Sequence, residues 1–273
     1  MKSFEIGAKK TQVFYLHGLR GHALSQQVVM RHMVKNLGIK MISLELPGHG
    51  SESQQRHCLV PAYERIVEEI VEEIRRHTIQ VKQVVLMGHS FGGTLMALVA
   101  GKLDRDKSFS PEVVGMIGIS TAFDVGHNVP RWQLALSKAI APMSRFFFEK
   151  AWRLSNLLTI GEMNIGLISA DDTVRHAIEF DPLVYKGRIP LATSAQVYLT
   201  GIAAKKAVRE FDIPTLLLHS LDDEIALAPK QGDFGEHVEL KLFKNLRHNC
   251  IDGVSREAVT SRRYIFQFIV NKL

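Results

Sequence analysis

Short apolar runs rich in β-branched and aliphatic residues recur along this chain of 273 residues, and the stretches between them carry a helical period. The runs are TQVFYL (11–16), KMISLEL (40–46), QVVLMG (83–88), EVVGMIGIS (112–120) and PTLLLHS (214–220). Near-continuous apolar sequence of this kind reads as strands buried on both faces, the habit of parallel sheets. A further run, HVELKLF (237–243), alternates more and reads as an edge strand. In 61–77, Pro61 opens the segment, and Tyr63, Ile66, Val67, Ile70 and Ile74 fall on one face at helical spacing. The Glu and Arg residues of EEIVEEIRRH take the other face, which is expected to be solvated. Residues 255–270 read as a C-terminal helix. Strands alternating with helices predict an α/β chain with a mainly parallel sheet of about 6–7 strands, flanked by helices.

The interval between Ser120 and Pro214 breaks this rhythm, because it holds no clear strand. It carries Trp132, the run RFFFEKAWRL (145–154) and a string of Met, Leu and Ile. The expected organisation is therefore a core of 1–123 and 201–273, with 124–200 inserted as a helical cap over one end of the sheet. Apolar residues make up 46% of the chain and the mean hydropathy is +0.02, which is globular composition with enough length for a full core. No apolar run approaches the ~18 residues of a membrane helix, so no stable membrane insertion is expected. The opening MKSFEIGAKKTQVFYLHG has no apolar signal-peptide core, which makes a cytoplasmic address the expectation. The only cysteines, Cys58 and Cys250, are too few and too far apart for a disulfide framework or a zinc site. The formal charge of +6 is scattered and accompanies no nucleic-acid motif, so no nucleic-acid partner is expected.

The chemistry concentrates at LMGHSFGGTLMALVAG (86–101). Here a strand stops, Gly88-His89-Ser90-Phe91-Gly92 follows, and an alanine-rich helix begins. This is the G-x-S-x-G pattern in which a serine sits on a sharp strand-to-helix turn, with glycines where a Cβ would clash. The turn lifts Ser90 to the carboxyl end of a parallel strand, where open α/β sheets place ligands. The helix starting at Phe91 offers free N–H groups and a positive dipole end to a developing oxyanion.

A serine nucleophile needs a base, and the base needs an acid to orient it. Among twelve histidines, His248 in NLRHNC alone follows both the last strand and the acidic turn LDDE, which bears Asp222 and Asp223. The order serine, aspartate, histidine is the one expected for such an elbow. After the first long strand, His17-Gly18 precedes Leu19, and a glycine there lets the Leu19 N–H turn toward a bound carbonyl oxygen. The oxyanion hole is thus expected from the Leu19 and Phe91 amides. His17 is expected to hold that loop, and Arg20 and His22 to face solvent, with contact to a polar substrate group as the alternative.

Together these pieces resemble the α/β-hydrolase superfamily, and within it the branch of monoacylglycerol lipases, lysophospholipases and small bacterial carboxylesterases. The matching stretches are YLHGLRGH (15–22), LELPGHGSES (44–53), GHSFGG (88–93), DPLVYKGRIP (181–190), LLLHSLDDEIALAP (216–229) and NLRHNCID (245–252). The expected activity is cleavage of a lipophilic carboxylic ester, monoacylglycerol-like or with a short to medium acyl chain, through an acyl-enzyme, and the resemblance implies Ser90 as nucleophile and His248 as general base and acid. Its acid loop aligns Asp223 with the acid and leaves Asp222 just before it, with Ser220 where a glycine is usual. His49 in PGHG is expected to be structural, and Cys250 a small buried hydrophobe. The resemblance implies no metal and no organic cofactor. Aromatic residues of the insertion, among them Phe146, Phe147 and Trp152, are candidates for an apolar acyl pocket. Cleavage of a thioester, amide or carbon–carbon bond by the same triad, and non-catalytic binding of a small molecule, are the competing expectations.

Overall fold

The computed structural model describes residues 1–7, 11–79, 81–125 and 159–272, together with Trp132, Ala135, Leu136 and Ala139. Its strands are β1 (Ser3–Ile6), β2 (Thr11–Leu16), β3 (Lys40–Leu44), β4 (Gln83–His89), β5 (Glu112–Ile119), β6 (Thr159–Ile160), β7 (Ile189–Pro190), β8 (Thr215–Ser220) and β9 (Val238–Phe243). Seven of them make one sheet in the order β1-β3-β2-β4-β5-β8-β9, while β6 and β7 pair as a separate ribbon. Every neighbouring pair in the large sheet is parallel except β1 with β3. The expected α/β architecture is the one observed, with the 237–243 run at an edge. The short antiparallel β1 is an addition: SFEI is too brief for its alternation to register in the sequence.

Alternate residues of each central strand feed different halves of the core. Phe14, Leu16, Val84 and Leu86 pack with Ile66 and Ile70 of α3 (Tyr63–His77), Leu95 and Met96 of α4 (Phe91–Asp104) and Val208 of α6 (Leu191–Glu210). Val13, Tyr15, Val85 and Met87 turn the other way, toward Met30 and Met33 of α1 (Gln27–Leu37) and Ile265 and Ile269 of α7 (Arg256–Val270), while α2 (Ser53–Arg56) is a single short turn after β3. Burial on both faces is why these strands read as continuous apolar runs rather than as alternating ones.

One residue of the charged face of α3 departs from expectation. Glu73 is buried, 5% exposed, with Arg76 Nη1 at 2.6 Å and His77 Nε2 at 3.1 Å from its carboxylate. His77 Nδ1 in turn lies 2.7 Å from Glu5 Oε1, which fastens β1 to the helix. A buried carboxylate is tolerable only with such partners.

The segment expected as a cap contains, among its described residues, the β6–β7 ribbon and α5 (Asp172–Phe180). Asp171 caps α5 by accepting from the Thr173 and Val174 amides. Helix α6 runs through the boundary expected at residue 200 and lies on α4 and on the chain just after β5. A Cβ at Gly201 would stand 2.6 Å from the Phe123 carbonyl oxygen, so the helix approaches that backbone only because the residue is glycine. Among the described residues no helix is long and apolar enough to cross a membrane.

Ile70 is fully buried between α3 and the sheet. Ile70→Ala is expected to lower unfolding free energy by about 2–5 kcal/mol, read from urea denaturation. A loss under about 1 kcal/mol would contradict this packing.

Candidate active site

The site grows from the backbone at Ser90. Between the end of β4 and the start of α4, Ser90 adopts φ 55° and ψ −122°. A residue with a Cβ resists such a conformation, so its surroundings must hold it. They do so through the main chain: Ser90 N donates to Ile119 O at 2.9 Å, and Ser90 O accepts from Gly93 N at 3.0 Å. The flanking glycines give clearance. A Cβ at Gly88 would lie 2.4 Å from Gly92 O, and one at Gly92 would lie 2.4 Å from both His17 O and Leu16 O.

Ser90 Oγ is 2.7 Å from His248 Nε2, and His248 Nδ1 is 2.7 Å from Asp223 Oδ2. The carboxylate can only accept, so Nδ1 carries the proton and Nε2 is left to accept from the serine hydroxyl. Asp223 Oδ1 accepts from the Ile225 and Ala226 amides at 2.9 and 3.1 Å. His219 Nε2 shares its proton between Ala226 O at 3.0 Å and Asp223 Oδ2 at 3.1 Å. Burial opposes charge on Asp223, but the neighbouring His248 and the hydrogen bonds from both histidines hold its carboxyl far below the ordinary carboxylate range.

Asp222, one residue earlier, is exposed and accepts from Asn245 N at 2.6 Å instead. The two aspartates are thus separated by the structure: only Asp223 meets His248. Ser220, the departure from the usual glycine, links the two loops. Its hydroxyl donates to Leu246 O at 2.5 Å and accepts from Asp222 N at 3.1 Å.

Leu19 and Phe91 both line the cavity beside Ser90. Phe91 is the first residue of α4, so its N–H has no partner within the helix. Gly18 comes so close that a Cβ would meet Ser90 Cβ at 3.0 Å. His17 holds the loop, with Nδ1 donating to Gly18 O at 2.8 Å and Nε2 lying 2.8 Å from Glu45 Oε1.

Arg20 and His22 correct the expectation of solvent-facing side chains. His22 is buried, and its Nε2 donates to Asp181 Oδ2 at 2.9 Å. Arg20 reaches the carbonyls of Gly161, at 2.8 Å, and of Gly187. The stretch DPLVY therefore docks on the loop LRGH, a pairing that sequence separation hides. The His248 loop is gripped as well: His248 N and Asn249 N donate to Leu167 O and Ile168 O at 3.2 and 2.7 Å. Asp252, four positions beyond His248, was not singled out in the sequence, yet it lines the cavity and gathers the side-chain amides of Gln26 and Asn249 at 2.7 and 2.5 Å.

The cavity over Ser90 measures about 1080 Å³, and Leu167, Ile168, Val174, Ile178, Val184 and Val197 contribute to largely apolar walls. That is ample for a drug-sized or acyl-bearing ligand. Phe146, Phe147 and Trp152 lie outside the described residues. Among the described residues no group of three metal-ligating side chains converges. Cys250 is buried against Ser120 rather than in the cavity wall, and burial pushes its thiol up to about 11.

Comparison with known proteins places these features in a family. Residues 7–252 match Hydrolase_4, described as serine aminopeptidase, S33. The monoglyceride lipase homolog of Monkeypox virus is 23% identical over 97% of this chain and 91% of its own length. Monoglyceride lipase of Mus musculus is 24% identical over 89% of this chain and 76% of its own. A crystal structure of Paleococcus ferrophilus monoacylglycerol lipase superposes with a TM-score of 0.77 at 19% identity, covering 100% of this chain and 99% of the other. A soluble variant of monoglyceride lipase from Saccharomyces cerevisiae, in complex with a substrate analog, has a TM-score of 0.77 at 16% identity, covering 99% and 91%. At these identities the superpositions establish the fold.

Two further histidines near the site set a pH limit on stability. Burial, reinforced by the neighbouring His248, pushes His89 down to about 3, and burial with the neighbouring His17 does the same to His49. Both stay neutral in the folded protein while the unfolded chain takes up protons below about pH 6.5. The unfolded state then binds more protons, so stability is full above that pH and is lost as pH falls toward 3. The asparagine in His49→Asn can replace the donor that reaches Pro47 O at 2.9 Å. Its stability loss between pH 7 and pH 4.5 is expected to be about 2–3 kcal/mol smaller than that of the parent in urea titrations. Equal losses in the two proteins would refute the assignment.

Proposed function

We infer that this chain, which belongs to the Hydrolase_4 family (serine aminopeptidase, S33) of α/β-hydrolases and is a carboxylic ester hydrolase, cleaves lipophilic esters through an acyl-enzyme on Ser90. The observation that carries the reading is the hydrogen-bonded chain Ser90–His248–Asp223, 2.7 Å at each link, beneath a large apolar cavity. His248 Nε2 takes the hydroxyl proton as Ser90 Oγ attacks the ester carbonyl. Asp223 fixes the imidazole tautomer and steadies the positive charge that forms on it. The Leu19 and Phe91 amides receive the oxyanion, a role in which one lost donor costs about 2.7–4 kcal/mol of barrier stabilisation. His248 then protonates the departing alcohol, and in the second half-reaction it activates the water that frees the acid. No step asks for a metal or organic cofactor.

The segment before α6 acts as the cap in this reading, and its Leu167, Ile168, Val174 and Ile178 form part of the acyl-binding wall. An apolar wall favours a lipophilic acyl group over a charged one. The similarity to the monoglyceride lipase of Mus musculus and the monoglyceride lipase homolog of Monkeypox virus supports a monoacylglycerol-like ester as the natural class.

A p-nitrophenyl ester series from short to long acyl chains tests the reading. Ser90→Ala is expected to abolish turnover, and the chain-length optimum to fall at medium length or longer. Asp223→Asn should lower kcat by about 10⁴-fold through loss of the correct tautomer. Asp222→Asn should stay within about threefold of the parent, because Asp222 serves only a loop amide. Activity surviving Ser90→Ala, or turnover of thioesters alone, would overturn the proposal.

A further inference from the structure

The loop that carries Leu19 contains a residue out of place on steric grounds. Gly21 N donates to Gly18 O at 3.2 Å, so Gly18-Leu19-Arg20-Gly21 is a β-turn. At its third position Arg20 has φ 72°, the sign a type II turn requires there. Glycine or asparagine is the ordinary occupant, because a Cβ resists the left-handed region. An arginine persists only if its surroundings hold it.

They hold it from the cap. The Arg20 carbonyl accepts from Tyr185 N at 3.0 Å. Its guanidinium donates to Tyr185 O at 3.4 Å, to Gly161 O at 2.8 Å and to Gly187 O. Gly161 directly follows β6, and Gly187 lies two residues before β7, so the guanidinium plugs the open end of that ribbon. Tyr185 is itself anchored, its hydroxyl donating to Arg188 O at 3.0 Å and accepting from His57 Nδ1 at 2.8 Å.

The turn matters because of which peptide it orients. The carbonyl accepting from Gly21 N belongs to the same planar peptide unit as the Leu19 N–H. His17 Nδ1 holds that carbonyl from a second direction at 2.8 Å. In a trans peptide the N–H points opposite to the C=O, so fixing Gly18 O fixes the direction of the Leu19 N–H. We propose that Arg20 is a positioning residue: its left-handed backbone, held by the Tyr185 amide on its carbonyl and by cap carbonyls on its guanidinium, holds the Leu19 amide in the direction the oxyanion requires. This rests on the reading that Leu19 is an oxyanion donor. It adds that the cap controls the transition state through Arg20 as well as lining the cavity.

The experiment separates backbone conformation from side-chain charge. Arg20→Ala loses the clamp and keeps the steric penalty, whereas Arg20→Gly loses the clamp and takes up the left-handed turn freely. With thermal unfolding confirming that each variant is folded, Arg20→Ala should lower kcat about 10- to 100-fold with KM within about twofold. The Ki of a trifluoromethyl ketone analogue should rise by the same factor as kcat falls, since both read transition-state complementarity. Arg20→Gly should return kcat to within about threefold of the parent, and Arg20→Asn should fall between Ala and Gly. The inference is overturned if Arg20→Gly is folded yet as slow as Arg20→Ala, if folded Arg20→Ala keeps full kcat, or if KM alone rises. Should Arg20→Ala not fold, Arg20→Gly decides alone, and a kcat more than about tenfold down overturns the inference. Activity surviving Ser90→Ala is a different failure, one that removes the underlying reading before Arg20 is tested.

Discussion

The left-handed backbone of Ser90 is the constraint around which the molecule is arranged. A serine in that conformation needs β5 to receive its N–H, α4 to use its carbonyl, and bare backbone on both flanks. Those requirements in turn place β4 at the centre of the sheet, with β5 on one side and β2 on the other. The closeness of Gly92 to the end of β2 brings the Gly18–Leu19 loop beside Ser90, so the strain at one residue recruits the neighbouring strand ends. The buried core then serves as the brace that keeps this turn from relaxing.

The sheet was legible because strands covered on both faces must be apolar throughout, and TQVFYL or PTLLLHS cannot easily be anything else. The elbow was legible because steric clearance demands glycine at fixed offsets. Asp223 was distinguishable from Asp222 only by register. Asp222 and Asp223 are chemically identical, and what separates them is that Asp223 turns inward to two amides and two histidines while Asp222 serves a surface turn. Arg20 and His22 were misread because their partners lie far along the chain, in DPLVY and beside the β6–β7 ribbon, and a polar loop residue carries no local sign of a distant acceptor. Glu73 was misread because β1, which His77 fastens to this helix, leaves no local sign in the sequence.

Three loops meet at Ser90, and their fastenings differ in kind. The Asp223 loop and the His248 loop are joined to each other by the Ser220 hydroxyl, within the core. The loop bearing Leu19 and the loop bearing His248 are also joined to residues 159–190. There most of the bonds run to main-chain atoms: Tyr185 N and O, Gly161 O and Gly187 O on one side, Leu167 O and Ile168 O on the other.

That choice of atoms has a consequence for how such a protein can change over generations. A grip made on carbonyl oxygens is indifferent to the side chains borne by the same residues. Leu167, Ile168 and their neighbours can therefore be exchanged, reshaping the space above Ser90, while the fastening of His248 stays as it was. Residues 159–190 thus combine a fastening made in main-chain atoms with a lining made of side chains, so the shape of the cavity can change one residue at a time while the Ser90–His248 contact stays as it was.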